Sequence, residues 1–150
     1  MTNSILIKHN IEVAHRLFES PGKCENIHGH SMWVELELHV PHGMDRGMFV
    51  NSKGHRLEFG DVKRVFRGFL DEKFDHHLLL NNADPFASLL GLGSGVVNLP
   101  GLVTMMVDPT TENIAKWIAE FCAHTYMTDA SVTVQETSVN AAKFTQRYLG

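Results

Sequence analysis

Apolar and polar residues alternate most cleanly between Ser31 and Val40, where Met32, Val34, Leu36 and Leu38 interleave with Trp33, Glu35, Glu37 and His39. A period of two puts one set on a buried face and the other toward solvent, the pattern of a half-buried strand. Ser4 to Ala14 repeats it, with Ile5, Ile7, Ile11 and Val13 in one phase, and breaks toward a loop around Ser20-Pro21-Gly22. Pro41-His42-Gly43 ends the second strand, and Met48 to Val50 adds a short extended piece. The period then changes. After Gly60, with Asp61 as candidate cap, Val62, Val65, Phe66, Phe69 and Leu70 follow one helical face. A second helix starts near Asp108-Pro109-Thr110-Thr111, and its stripe is Ile114, Trp117, Ile118, Phe121 and Cys122. Ser131 to Glu136 alternates again, and a weaker pattern over Ala142 to Leu149 predicts a last strand.

The order is strand, strand, helix, helix, strand, strand. Segregated strands and helices predict an α+β fold with an antiparallel sheet and the helices on one face. Length fits a single domain spanning 1–150. Its irregular part is a Gly-rich excursion over about residues 83–108, with Gly91-Leu92-Gly93-Ser94-Gly95 at its centre. So long a connection is either a mobile surface loop or a functional lid, and its composition favours the plain loop.

Composition changes this picture in one respect, the ten histidines. A net charge of -4 without a Lys/Arg block argues against a nucleic-acid surface. No apolar run reaches membrane-spanning length, the start of the chain lacks a signal-peptide pattern, and two cysteines give no disulfide framework. A reducing cytoplasm is the expected location.

The histidines that matter lie in phase with the core. His15 continues the parity of Ile11 and Val13, and His28 and His30 precede Met32 and Val34 in the same phase. Buried neutral imidazoles need partners. One reading makes them core histidines bonded to backbone. The other makes them three ligands of a catalytic zinc whose fourth position stays open. Gly29 between them lets backbone approach closely. Cys24, four residues before His28, is a candidate nucleophile or base, whereas Cys122 lies on a helix stripe and reads as a packed thiol. Asp75 beside His76 can orient an imidazole, though such a pair is more often ordinary surface polarity. Glu136, in phase with Val132 and Val134, points inward and demands either a salt-bridge partner or a ligand with paired N–H donors. Glu112 reads as a first-turn residue favoured by the helix dipole. His9, His39, His42, His55 and His124 are expected at the solvent surface.

Six segments in order resemble the 6-pyruvoyl-tetrahydropterin synthase and 6-carboxy-tetrahydropterin synthase family: Ala14-His15-Arg16-Leu17, Lys23-Cys24 to His28-Gly29-His30, Glu58-Phe59-Gly60-Asp61-Val62-Lys63, Phe74-Asp75-His76-His77, Pro109-Thr110-Thr111-Glu112-Asn113 and Val134-Gln135-Glu136-Thr137. The resemblance implies a tunnelling fold (T-fold) of four antiparallel strands backed by two helices, order ββααββ, assembled around a central β-barrel as a homohexamer of two stacked trimers. It implies Zn2+ on His15, His28 and His30, and catalysis by Cys24 with His76 and Asp75. It also implies a pterin ring held by Glu136, with Thr110, Thr111 and Glu112 lining its pocket. Three residues separate Cys24 from His28, which resembles the bacterial carboxy-forming branch. That branch converts 7,8-dihydroneopterin triphosphate to 6-carboxy-5,6,7,8-tetrahydropterin, acetaldehyde and triphosphate, toward 7-deazaguanine bases such as queuosine. The alternatives are the pyruvoyl-forming reaction and a zinc- and pterin-binding subunit without turnover. The Gly-rich excursion and the tail after Glu136 depart from the family pattern.

Overall fold

The first two strands form one long hairpin. In the computed structural model, which describes residues 3–40, 43–91 and 99–150, β1 (Asn3–His15) runs antiparallel to β2 (His28–Val40). Their register pairs Asn3 with Val40 at one end and His15 with His28 at the other. Odd residues of β1 and even residues of β2 therefore share one face, and Ile5, Ile11, Met32, Val34, Leu36 and Leu38 are at most 1% exposed. A short hairpin of β3 (Met44–Asp45) and β4 (Met48–Phe49) follows. Next come α1 (Phe59–Lys73), β5 (His77–Asn81), α2 (Pro85–Leu90), β6 (Leu102–Met105), α3 (Thr111–Tyr126), β7 (Ala130–Gln135) and β8 (Ala141–Gln146).

The expected four antiparallel strands are present: β7 pairs with β2, and β8 with β7. The sheet itself is larger than expected. It has six strands in the order β6-β5-β1-β2-β7-β8, and β5 and β6 add to β1 in parallel. The described residues hold three α-helices, so the expectation of a four-stranded ββααββ sheet with two helices is corrected. Both strands added to the main sheet escape the sequence pattern for a physical reason. Leu78-Leu79-Leu80 is a continuous apolar run, as suits a strand buried on both faces, and gives no alternation to read. Leu102–Met105 lies inside the excursion that was expected to be loop; α2 occupies part of it too, capped by Asp84 with Pro85 at its first turn. Gly93, Ser94 and Gly95 of the Gly-rich run lie outside the described residues, as do Pro41 and His42.

The other departures are local. Helix α1 begins at Phe59 after Glu58, so Asp61 is a first-turn residue, paired with Arg64 at 3.2 Å, and not the cap. The last strand ends at Gln146. His55 and His124 are exposed as expected, but His9 is half-buried against Asp71 and His39 is half-buried against Ser131 Oγ.

One core joins the hairpin face to α1, through Val62, Phe66 and Leu70, and to α3, through Ile114, Ile118 and Cys122. Each large apolar side chain buried there contributes about 1.5–3 kcal/mol. Burial pushes the Cys122 thiol up, so it is the inert core thiol its stripe predicts.

Candidate metal centre and adjoining cleft

The pairing of β1 with β2 builds the centre. Because His15 faces His28 across the ladder and His30 faces Val13, all three rings emerge on the core face at one end of the hairpin. His15 is 1% exposed and His28 and His30 are half-buried. Ring centroids lie 4.6, 5.0 and 5.2 Å apart, and one ligating nitrogen from each ring lies within 4.8 Å of the others. Gly29 makes the approach feasible: a Cβ there would meet the Val13 carbonyl oxygen at 3.1 Å.

Two of the rings are bonded to backbone, as the first of the expected readings has it, and the same bonds bear on the second. His15 Nδ1 donates to the Pro109 carbonyl at 2.8 Å, and His28 Nδ1 donates to the Asn26 carbonyl at 2.8 Å. A carbonyl can only accept, so in each neutral ring the proton sits on Nδ1 and Nε2 is bare. Those bare Nε2 atoms face each other at 3.1 Å. Two lone pairs so placed repel unless a cation lies between them. Tetrahedral zinc with Zn–N bonds of ~2.0 Å would space its ligand atoms about 3.3 Å apart, close to this separation. The backbone carbonyls orient the rings as the outer partners of metal-binding histidines do.

Glu136 lies one residue beyond β7, and its carboxylate points inward as its phase predicts. Its Oε1 is 3.5 Å from His30 Nε2 and 3.7 Å from His15 Nε2. It also lines a cleft of about 550 Å³ together with Cys24, Thr110, Thr111 and Glu112. Cys24 is exposed, on a short 3-10 turn, Lys23–Glu25. Thr110 caps α3, its Oγ1 accepting from the Asn113 N–H at 3.2 Å, so the cleft receives the helix N-terminus.

His76 is placed elsewhere. With Glu12, Gly29, His30, Ser31 and Gly101 it lines a second cleft, of about 540 Å³. Its backbone is left-handed, φ 58°, and its side chain is 78% exposed. Asp75 orients it, with Oδ2 accepting from His76 Nδ1 at 2.8 Å and Oδ1 accepting from the Glu12 N–H at 2.8 Å. Burial alone would raise the Asp75 carboxyl, but the Glu12 N–H and the His76 ring outweigh it and hold it below its ordinary range. Within one chain, then, Cys24, Glu136 and the α3 N-terminus converge, whereas Asp75 and His76 stand in a separate cleft. His30 links the two, lining the second and touching Glu136 of the first.

Residues that spacing did not reveal support the centre. Asn81 Nδ2 and Asn113 Nδ2 hold Asp108 through its side chain and carbonyl, at 2.9 Å each, and so fix the segment whose Pro109 carbonyl orients His15. Carbonyl partners leave no residue-type signal in a sequence.

Burial pushes the His15 ring below its ordinary pKa of 6.5, with the neighbouring His28 and His30 acting in the same direction and the Pro109 bond opposing them. The unfolded chain therefore takes up a proton that the folded ring refuses. Stability from His15 is complete above pH 6.5 and is lost as pH falls from there through the lowered folded value. In chelator-treated protein the melting temperature is expected to decline from pH ~7 toward ~5, and less so in His15→Asn, whose amide keeps a donor near the Pro109 carbonyl. Equal declines in both proteins would assign the effect to other groups.

Comparisons with known proteins agree with this architecture. The 6-pyruvoyl tetrahydropterin synthase family model matches residues 4–147. A 6-carboxy-5,6,7,8-tetrahydropterin synthase of Rickettsia conorii is 30% identical over 106 residues, 69% of this chain and 68% of that protein. The Rickettsia bellii protein of the same name is 29% identical over the same shares. Among solved structures, an uncharacterized protein of Wolinella succinogenes superposes with a TM-score of 0.74 at 20% identity, over 96% of this chain and 98% of that one. The 6-pyruvoyl tetrahydropterin synthase of Plasmodium vivax gives 0.66 at 18% identity, over 98% and 99%. With the matched span running from β1 past the end of β8, the chain belongs to the 6-pyruvoyl tetrahydropterin synthase family.

Proposed function

We propose that this chain is a zinc-dependent 6-carboxy-tetrahydropterin synthase. It would convert 7,8-dihydroneopterin triphosphate and water to 6-carboxy-5,6,7,8-tetrahydropterin, acetaldehyde and triphosphate, as a carbon–carbon lyase in 7-deazaguanine precursor synthesis. The observation that carries the reading is the convergence of Cys24, Thr110, Thr111, Glu112 and Glu136 on one cleft that adjoins the three-histidine cluster. The cleft's volume suits a small organic ligand. The carboxy-forming branch is favoured by the three-residue gap between Cys24 and His28 and by the names of the relatives at about 30% identity.

His15, His28 and His30 would hold the zinc, and when bound it supplies a Lewis acid that acidifies the hydroxyl and C–H protons of the substrate side chain. The chain's own groups do the rest. Cys24 takes a proton from one side of the side chain, and His76, steadied by Asp75, moves a proton on the other. Glu136 accepts from the paired N–H donors of the pterin ring, with Thr110, Thr111 and Glu112 along the same wall. Two free thiols, Cys24 exposed and Cys122 buried, suit a reducing cytoplasm. Among the described residues no helix is long and apolar enough to cross a membrane.

Because Cys24 and His76 line different clefts, we place the working site between copies, with His76 of one copy serving Cys24 of another. The sheet edges support such assembly. Among the described residues β8 is an edge strand, and the second side of β1 is paired with β5 only over Val13–His15. Open edges invite pairing between subunits. Light scattering is expected to give about six times the 16.8 kDa chain mass, two stacked trimers. A monomer at micromolar concentration would defeat the shared-site reading.

Product analysis with zinc-loaded protein and dihydroneopterin triphosphate tests the function. Acetaldehyde and 6-carboxy-tetrahydropterin are expected in equal amounts. 6-Pyruvoyl-tetrahydropterin without acetaldehyde would transfer the chain to the pyruvoyl-forming reaction, and no turnover would leave a binding subunit.

A further inference from the structure

The residue after the first histidine of the cluster ties three parts of the fold together. Arg16 Nη1 donates to Asp84 Oδ1 at 2.7 Å, and its Nε donates to the Glu25 carbonyl at 2.6 Å, one residue beyond Cys24. Asp84 is 0% exposed and the Arg16 side chain only 13%. The same Asp84 Oδ1 accepts from the Phe86 N–H at 2.8 Å, capping α2, and the Phe86 ring lies 4.2 Å from the guanidinium carbon. Asp84 Oδ2 has no hydrogen-bond partner among the described residues, so Arg16 is the cation on which this buried carboxylate depends. A second tie, from the Leu17 N–H to the Cys24 carbonyl at 2.9 Å, runs beside the Arg16 contact.

We propose that Arg16 is a positioning residue for Cys24: its guanidinium, locked by Asp84 and Phe86 at the start of α2, fixes the short turn that carries the thiol. The proposal rests on the reading of Cys24 as a proton-moving group. It gives α2, part of the excursion between the main helices, a role in the site without any contact to substrate. The planar fork is what makes the link. Nε and Nη1 present rigidly spaced N–H groups to two acceptors at once, whereas an ammonium on a flexible stem is a single point charge that cannot reproduce that spacing. Only the thiol's placement should suffer when the fork is lost, because the metal ligands and the cleft wall are held by other bonds.

Arg16→Lys keeps the charge beside Asp84, and Asp84→Asn leaves Arg16 itself intact while removing the ion pair. In zinc-loaded protein, both are expected to lower kcat on the order of 10-fold or more, because a misplacement near 1 Å is enough for such a loss. KM and zinc content should change little. Amide hydrogen exchange should speed up at Leu17 and Lys23 to Asn26 and stay unchanged elsewhere. Local acceleration with full kcat would overturn the positioning role, as would unchanged exchange in both variants. Acceleration spread over the whole chain would reduce the pair to general stability and overturn it too. If the wild-type protein fails to turn over the substrate while exchange changes only in this turn, the proposed function falls and the fixing of the turn stands.

Discussion

Zinc content and turnover are expected to fall together when His28 is replaced by alanine. Of the three ring positions this one separates metal binding from folding. His15 is fully buried and bonded to the Pro109 carbonyl, so its removal would open a cavity and leave a buried acceptor unpaired. His28 is half-buried, and its ring is bonded to the exposed Asn26 region, where water can replace it. Losing one of the three proposed ligands leaves two, too few for a catalytic site that also keeps an open position. Elemental analysis should therefore drop from about one zinc per chain to near none, with turnover lost and the melting temperature of metal-free protein little changed. Full zinc in His28→Ala, or no zinc in the wild type purified without chelator, would count against the assignment. A stable variant that loses zinc yet turns over at the wild-type rate would separate the metal from the reaction.

How much of this centre a sequence can show depends on whether the signal is a period or a contact. The phases of Ile11, Val13 and His15, and of His28, His30 and Met32, are properties of a strand, and the hairpin register carried them directly into three rings on one face. Glu136 followed for the same reason, two positions beyond Val134. The added strands were not visible, because Leu78-Leu79-Leu80 is buried without alternation and β6 is four residues long inside a glycine-rich stretch. Asp84 carried no period at all. Its burial comes from pairing with Arg16, 68 positions away, and a lone aspartate before proline reads as a turn. Cys24 and His76 were adjacent in the expected chemistry, yet they line separate clefts. Spacing along one chain cannot express which cleft a side chain will line, nor the shared site between copies that we propose.

Cys24→Ala and Glu136→Ala should fail in different ways, and the contrast tests the division of labour in the cleft. The thiol is proposed to act mainly in the transition state, so its loss should lower kcat on the order of 10²-fold or more and leave substrate binding nearly intact. Zinc content should also hold, because the metal's proposed ligands are the three rings and Cys24 lies on an exposed turn outside the described histidine cluster. Glu136 stands on the other side of that division. As a charge-assisted acceptor for paired N–H donors, it should affect substrate binding most when removed. Its geometry adds a second expectation. With Oε1 3.5 Å from His30 Nε2 and 3.7 Å from His15 Nε2, the carboxylate also adds negative charge beside the histidine cluster, so Glu136→Ala should weaken zinc retention modestly. Glu136→Gln should fall between, since the amide keeps one acceptor but brings a donor against the ring. Titrating substrate into each variant, with zinc measured on the same samples, decides the matter. If Cys24→Ala lost metal and activity together, the thiol would be a ligand; if it turned over normally, the catalytic assignment would end. A Glu136→Ala protein with unchanged affinity would reduce that carboxylate to a partner of the histidines alone.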